Sequence, residues 1–286
     1  MISTRILRRR IQSVENTAKI CKAMEMIATA KMKRAQDQAQ AGRPYAEKIG
    51  QVIADLAAHP QVGRETHPLL ERREVKKIGI IHFTTDRGLC GGLNANINRL
   101  VAGFILEQSV PVTLITIGRK GRTFMLRAGQ NIRAEFTGMK DRPTLQETLP
   151  ISRVVIDDYS SGEIDLVYLA YPRFVSTMVQ RPTMEILLPV EPVELPPSQR
   201  GEYIYEPKPS VVLNALLPRF VEMQVYHAIL ELIASEQSAR MVAMRSASDN
   251  ARDVIEDLTL TLNKARQETI TNEICDICGG AEALTR

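Results

Sequence analysis

Cys275 and Cys278 stand three residues apart, with Asp276 and Ile277 between them. One such pair holds zinc only with a second pair or with histidines beside it. The four histidines, His59, His67, His82 and His227, are scattered along the chain. A structural or incidental role is the expectation for both cysteines. The other suggestive segment is the glycine-rich run TTDRGLCGGLN at 84–94. It follows an apolar stretch and precedes a helical one, where phosphates bind readily. It contains neither GxGxxG nor GxxxxGK[ST], so it lacks a phosphate-binding lysine. A tight backbone turn, with Asp86 and Arg87 in local polar contacts, is the expected role. No Ser/His/Asp set and no carboxylate cluster emerges. No catalytic, cofactor-binding or metal-binding residue is assigned, and no cofactor is expected.

The elements around that loop alternate. Residues 75–84 read as a buried strand, 94–108 as a helix, 110–118 as a second strand and 119–129 as a short helix. A weaker strand at 131–138 and a helix at 144–160 follow. Residues 164–174 and 182–190 look like two strands joined by a hairpin-like turn. Alternation of this kind implies a Rossmann-like α/β domain with a mostly parallel sheet. The proline-rich stretch 191–209 reads as an extended linker.

Glycine and proline are missing from 1–41 and again from 219–278. Two long breaker-free segments at opposite ends predict two long helices. Stepping by four and three through the first gives Leu7, Ile11, Val14, Ala18, Cys21, Glu25, Ala28, Met32, Ala35, Ala39, Gly42, Ala46, Ile49, Ile53 and Leu56. Thirteen of these fifteen are apolar, against about seven expected from a composition that is 44% apolar. In the second segment the same step runs from Leu216 through His227, Gln237 and Ser248 to Thr269, and twelve of sixteen positions are apolar. A sustained 3.5-residue repeat is the coiled-coil signature. The expected architecture is a long antiparallel two-helix coiled coil formed by the N- and C-terminal helices, plus the central α/β domain. The divisions are 1–58, 75–206 and 209–286. The second helix is on the order of 100 Å long, so the rod is expected to project. Gly42 and Pro44 are expected to bend the first helix. His227 and Gln237 are expected to set register or face a partner. A thin helix pair has little core, so a surrounding partner is a physical requirement.

Charge supports a partner. The net charge is +4, yet residues 1–34 carry nine basic residues against Glu15 and Glu25, a local +7. A basic segment on an otherwise slightly acidic chain suits an acidic partner surface. No apolar run approaches the roughly 18 residues of a membrane span. The start MISTRILRRR lacks the apolar core of a secretory signal. A mitochondrial presequence is disfavoured because the helical pattern continues past residue 30. Four cysteines make no disulfide scaffold, which favours a reducing, cytosolic setting. Tryptophan is absent, which weakens sugar-binding and base-stacking readings.

Three ordered blocks carry a family resemblance over essentially the whole length. They are ICKAMEMIATAKMKRAQ (20–36) with RPYAE (43–47), the loop TTDRGLCGGLN, and SARMVAMRSASDNA (238–251) with LNKARQETITNEICDICGGAEAL (262–284). The chain closely resembles the gamma subunit of the F-type rotary ATP synthase. The resemblance implies a coiled-coil shaft inside a ring of three alpha and three beta subunits. It also implies an α/β foot that binds the epsilon subunit and sits on the membrane c-ring. Rotation driven by proton flow would pass through the shaft to the catalytic beta subunits, from the cytoplasmic face of a bacterial plasma membrane. By resemblance, the contacts with the ring fall at Met24, Arg240, Arg266, Gln267, Thr271 and Glu273. Nucleic acid is not an implied partner, nor is direct membrane insertion.

The chain departs from plant and cyanobacterial relatives, which carry a regulatory insertion before the second long helix. Residues 191–209 are too short for it, so light-linked thiol regulation is not expected. The family often has other residues where Cys275 and Cys278 stand. Two other readings compete. A basic coiled-coil nucleic-acid-binding protein would explain the charged start but lacks a recognised binding fold. A nucleotide-dependent enzyme would have to be built on 75–206.

Overall fold

The computed structural model describes residues 3–57, 67–191, 205–206 and 208–285, without the side chains of 43, 46, 47, 57 and 282–285. Most of the linker expected at 191–209 lies outside the described residues. Two long helices bound the chain, α1 (Thr4–Ala57) and α5 (Pro209–Thr285). Between them lie β1 (Ile78–Phe83), α2 (Leu93–Glu107), β2 (Val112–Ile117), α3 (Arg119–Arg127), β3 (Ile132–Phe136), α4 (Leu145–Ser160), β4 (Leu166–Phe174) and β5 (Gln180–Leu188). Helix α1 continues without interruption through Gly42 and Pro44. The chain forms two compact units, Met1–Ile27 with Met241–Arg286, and Ala28–Arg240.

The first unit is an antiparallel pair made from one stretch of α1 and one of α5. Its buried residues are Leu7, Cys21 and Glu25 on one helix and Met241, Met244, Ser248 and Ala251 on the other. Ile11, Val14 and Ala18 are half-buried, as are Ile255, Leu258, Leu262 and Ala265. Every one of these lies on the 3.5-residue repeat. A seam this narrow works because successive a and d positions stay on one face. Equal steps from the Glu25–Arg245 contact carry Leu7 to the neighbourhood of Leu262. Beyond that point α1 has little left to offer, and every residue from Arg266 to Gly280 is exposed.

Glu25 is the polar exception in the seam, 4% exposed. Its carboxylate accepts from Lys22 Nζ at 2.9 Å and, across the pair, from Arg245 Nε at 3.0 Å. Lys22 leads in holding its pKa below the usual carboxylate value, burial opposes, and Arg245 adds to the lowering. Neighbouring side chains cover the carboxylate, yet water is close on every side of so thin a pair. Both cations are also more than half exposed. Screening therefore limits the contribution to about 0.5–1 kcal/mol. A lowered folded-state pKa gives stability that is present above the unfolded value and lost as pH falls through the folded one. Glu25→Gln should lower the urea midpoint at neutral pH, and the difference from the parent should shrink as pH falls below the ordinary carboxylate value of 4.5.

The second unit holds a five-stranded sheet in the order β3-β2-β1-β4-β5. Strands β1 to β4 are mutually parallel, and β5 pairs antiparallel with β4. Helices α2 and α3 cover one face through Ile97, Val101 and Met125, against Ile78, Ile80, Leu114 and Ala170. The other face carries α4, through Ile151, Val155 and Tyr159, together with Ile49, Ile53 and Leu56 of α1 and Leu213, Leu217, Val221 and Val225 of α5. This is the arrangement that right-handed crossovers produce when the chain passes to the far side of β1 after β3. All six residues of β1 are buried, as a central strand covered on both faces requires.

Within this unit α5 is seated on the β4–β5 hairpin by hydrogen bonds that recur about once per turn. The Glu231 carboxylate accepts from Phe174 N at 2.7 Å. Ser235 Oγ donates to Pro172 O at 2.8 Å, and Ser238 Oγ donates to Thr177 O at 2.7 Å. Helix α1 is held to the loop before α4 by Lys31 on Asp141 at 2.6 Å and by Gln38 Nε2, which donates to Pro143 O at 3.3 Å and also to the Tyr226 hydroxyl of α5 at 2.6 Å.

Candidate partner-binding surfaces

The glycine-rich run is a hub that reaches well beyond local contacts. Thr85 and Asn94 close it, with Thr85 N donating to Asn94 Oδ1 at 3.1 Å and Asn94 Nδ2 donating to Thr85 Oγ1 at 2.8 Å. Leu89 takes a left-handed φ of 63° and remains exposed. Asp86 joins two other loops: its carboxylate accepts from Arg119 N at 3.1 Å and from Gly138 N at 2.8 Å, and it pairs with the Arg119 guanidinium. The first turn of α3 is where a phosphate would seat. Here the protein's own carboxylate occupies that position. The expectation of purely local contacts for Asp86 is therefore corrected, because the partners lie 33 and 52 residues away. Beside it, a cleft of about 400 Å³ opens between the strand ends and α5. Cys90 of the glycine-rich run is buried, and burial pushes its thiol pKa up, which leaves it less reactive.

The six residues assigned to ring contacts separate into three places. Arg240 lies in the α/β unit and is buried. Its guanidinium donates to Gly88 O at 3.1 Å and pairs with Glu236 at 2.6 Å, so it ties α5 to the glycine-rich loop. Met24 is half-buried beside Glu25 in the helix-pair unit. Arg266, Gln267, Thr271 and Glu273 lie on the exposed end of α5 in the same unit, well removed from Met24 along the pair. Gln267 and Thr271 share one face there, with Lys264, Glu268 and Asn272. Of the nine cations in 1–34, all but Lys31 are exposed, and Lys31 is half-buried on Asp141. Cys275 and Cys278 are exposed thiols. Among the described residues no His, Cys, Asp and Glu set is gathered as for a metal, and no helix is long and apolar enough to cross a membrane. Sequence reasoning placed Asp86 in the glycine-rich motif but missed its distant partners, and it missed Glu236, which no periodicity or motif announces.

The ATP synthase family profile matches residues 3–284. An ATP synthase gamma chain of Dehalococcoides mccartyi is 64% identical over 284 residues, covering 99% of this chain and all of that one. The chain belongs to the gamma-chain family of ATP synthases. A gamma chain of Acidithiobacillus ferrooxidans is 49% identical over 291 residues, again covering 99% of this chain and the whole of its own. Among solved structures, a chain from the central stalk and c-ring of the Tetrahymena thermophila mitochondrial ATP synthase superposes with a TM-score of 0.64 at 26% identity, covering 80% of this chain and 99% of its own. A chain of the Euglena gracilis mitochondrial ATP synthase shares the fold with a TM-score of 0.70, covering 98% of this chain. Two long terminal helices around a mixed five-stranded sheet are thus the gamma-chain architecture.

Proposed function

We infer that this chain is the central rotor shaft of a proton-translocating ATP synthase. It transmits rotation between a membrane c-ring and catalytic beta subunits, coupling proton flow to ATP synthesis or hydrolysis. The observation that carries this reading is 64% identity with a gamma chain over 99% of this chain and all of that one, on a structure whose terminal helices pair in a narrow seam. In this reading 1–58 and 209–286 make the shaft and 75–206 the foot. Alpha and beta subunits surround the shaft, while epsilon and the c-ring meet the foot. The chain has no catalytic site of its own, and it lies peripherally at the cytoplasmic face of a bacterial plasma membrane.

Mechanistically, the shaft's angular position acts as an effector. It biases each beta subunit only by differing contact free energy with that subunit's alternative states. The exposed end of α5 supplies hydrogen-bond donors for this at Arg266, Gln267 and Thr271, and Glu273 adds an acceptor. Met24 offers an adaptable apolar contact. The exposed cations of 5–34 give screened, direction-tolerant attraction to acidic loops, which suits a sliding surface.

Co-purification of the tagged chain with alpha and beta ATPase subunits tests the assembly. Its absence from that complex would end the reading. Arg266→Ala with Gln267→Ala removes two donors from the end of α5 and leaves the α/β unit intact. ATP-driven proton pumping by the reconstituted complex should fall about tenfold, the equivalent of ~1.4 kcal/mol. Unchanged pumping and torque would remove both positions from the contact set.

A further inference from the structure

On the face of the sheet opposite α5, helices α2 and α3 leave a groove of about 800 Å³ between them. The α2 wall runs from Asn94 to Leu106, about 18 Å at the helical rise. That length accommodates about three turns of helix or half a dozen extended residues. Small side chains at Ala95, Ala102 and Gly103 keep the wall low. Two large apolar side chains flank the groove in contact with water, Leu106 at 85% exposed and Phe124 at 41%.

The charge of this groove has one sign. Its ionisable lining residues are Arg99, Lys120 and Arg127, with no carboxylate among them. Helix α3 carries four cations in nine residues. Two of them are already neutralised, Arg119 by Asp86 and Arg122 by Glu135. Lys120 and Arg127, which line the groove, make no ion pair among the described residues, and neither does Arg99. The ion pairs on α3 thus use the cations that do not line the groove and leave the ones that do.

We propose that the α2–α3 groove is a docking surface for an acidic polypeptide segment of another subunit, one that presents an apolar side chain between Leu106 and Phe124. Exposed apolar area supplies the anchor, and the three cations supply register and electrostatic selection. A recessed, half-apolar groove this long suits a peptide better than a flat lipid surface or a compact phosphate. The proposal rests on the chain being part of an ATP synthase. It assigns a surface that neither the seam nor the exposed end of α5 uses.

The test replaces Phe124 with p-benzoylphenylalanine in the full chain, assembles the complex, irradiates it and identifies the adduct by mass spectrometry. Recovery of the substituted chain with the other subunits bears on the rotor reading. The adduct bears on the groove. The expected adduct is a segment of another subunit with an excess of Asp and Glu. Its yield should fall about tenfold when Lys120→Glu and Arg127→Glu are combined, and should hold in Lys120→Arg. If the double reversal prevents assembly, Arg99→Gln in the assembled complex should lower the yield and make it less sensitive to salt. An adduct on lipid, on a second copy of this chain or on a segment without acidic excess overturns the proposal. So does the absence of any adduct, or a yield indifferent to charge and salt.

Discussion

Gly118→Val should abolish accumulation of folded chain. Gly118 sits where β2 passes into α3, at a φ of 89°, and a Cβ there would lie 2.1 Å from Thr84 O. That oxygen belongs to backbone at the end of the central strand and has no freedom to retreat. Thr84 N donates to Ile117 O, Gly118 N donates to Phe136 O at 2.8 Å, and Thr84 Oγ1 accepts from Gly121 N at 2.8 Å. A β-branched residue adds the steric strain of a left-handed conformation to a collision that only strand separation relieves. The cost should exceed about 4 kcal/mol, a large share of a domain's net stability. Soluble yield and a urea melt would measure it. Gly50→Ala, where a Cβ meets nothing within 4 Å inside α1, serves as the control and should stabilise by about 0.5–1 kcal/mol. A Gly118→Val chain that melts like the parent would contradict this packing of the strand ends.

Arg240→Ala should lower the stability of the isolated chain by about 2–4 kcal/mol at neutral pH, because it leaves the largely buried Glu236 carboxylate uncompensated and Gly88 O without its donor. Burial pushes the Glu236 pKa up, Arg240 opposes the rise, and Asp141 and Asp86 add to it more weakly. A raised folded-state carboxylate gives stability that is full below its unfolded value and lost as pH climbs through the folded one. Removing Arg240 extends that loss to higher pH. The deficit should therefore be greatest near neutrality and shrink toward about pH 4.5, with Arg240→Lys intermediate. Urea denaturation across pH would follow it. A fully stable Arg240→Ala chain that fails only in the assembled complex would return Arg240 to the partner surface and remove it from the interior.

These two cases mark where sequence was sufficient and where it was not. The seam was legible because a 3.5-residue repeat is a one-dimensional signal: Leu7, Cys21, Met241, Met244 and Ala251 are covered for the reason that makes them periodic. The α/β order was legible for the same reason, with strand and helix periods alternating between glycine punctuation. Asp86 was not, because its value comes from two amides brought to it by loops far along the chain. Arg240 was assigned outward through a motif, whereas its geometry turns it toward Gly88 and Glu236. Glu25 stood in plain view as a polar residue in an apolar stripe, but its partner Arg245 could be named only once the register of the pair was known.

The burial gradient along α5 has a dynamic corollary. Amides near Met241–Ala251 can exchange their hydrogens only when two helices come apart, whereas those from Arg266 to Gly280 need no more than the fraying of one. A solitary stretch of fifteen residues is barely longer than the minimum that holds helix in water by itself. A partner that enclosed those turns would therefore also complete their order, and the slowing of deuterium uptake there would report engagement without any label on the partner.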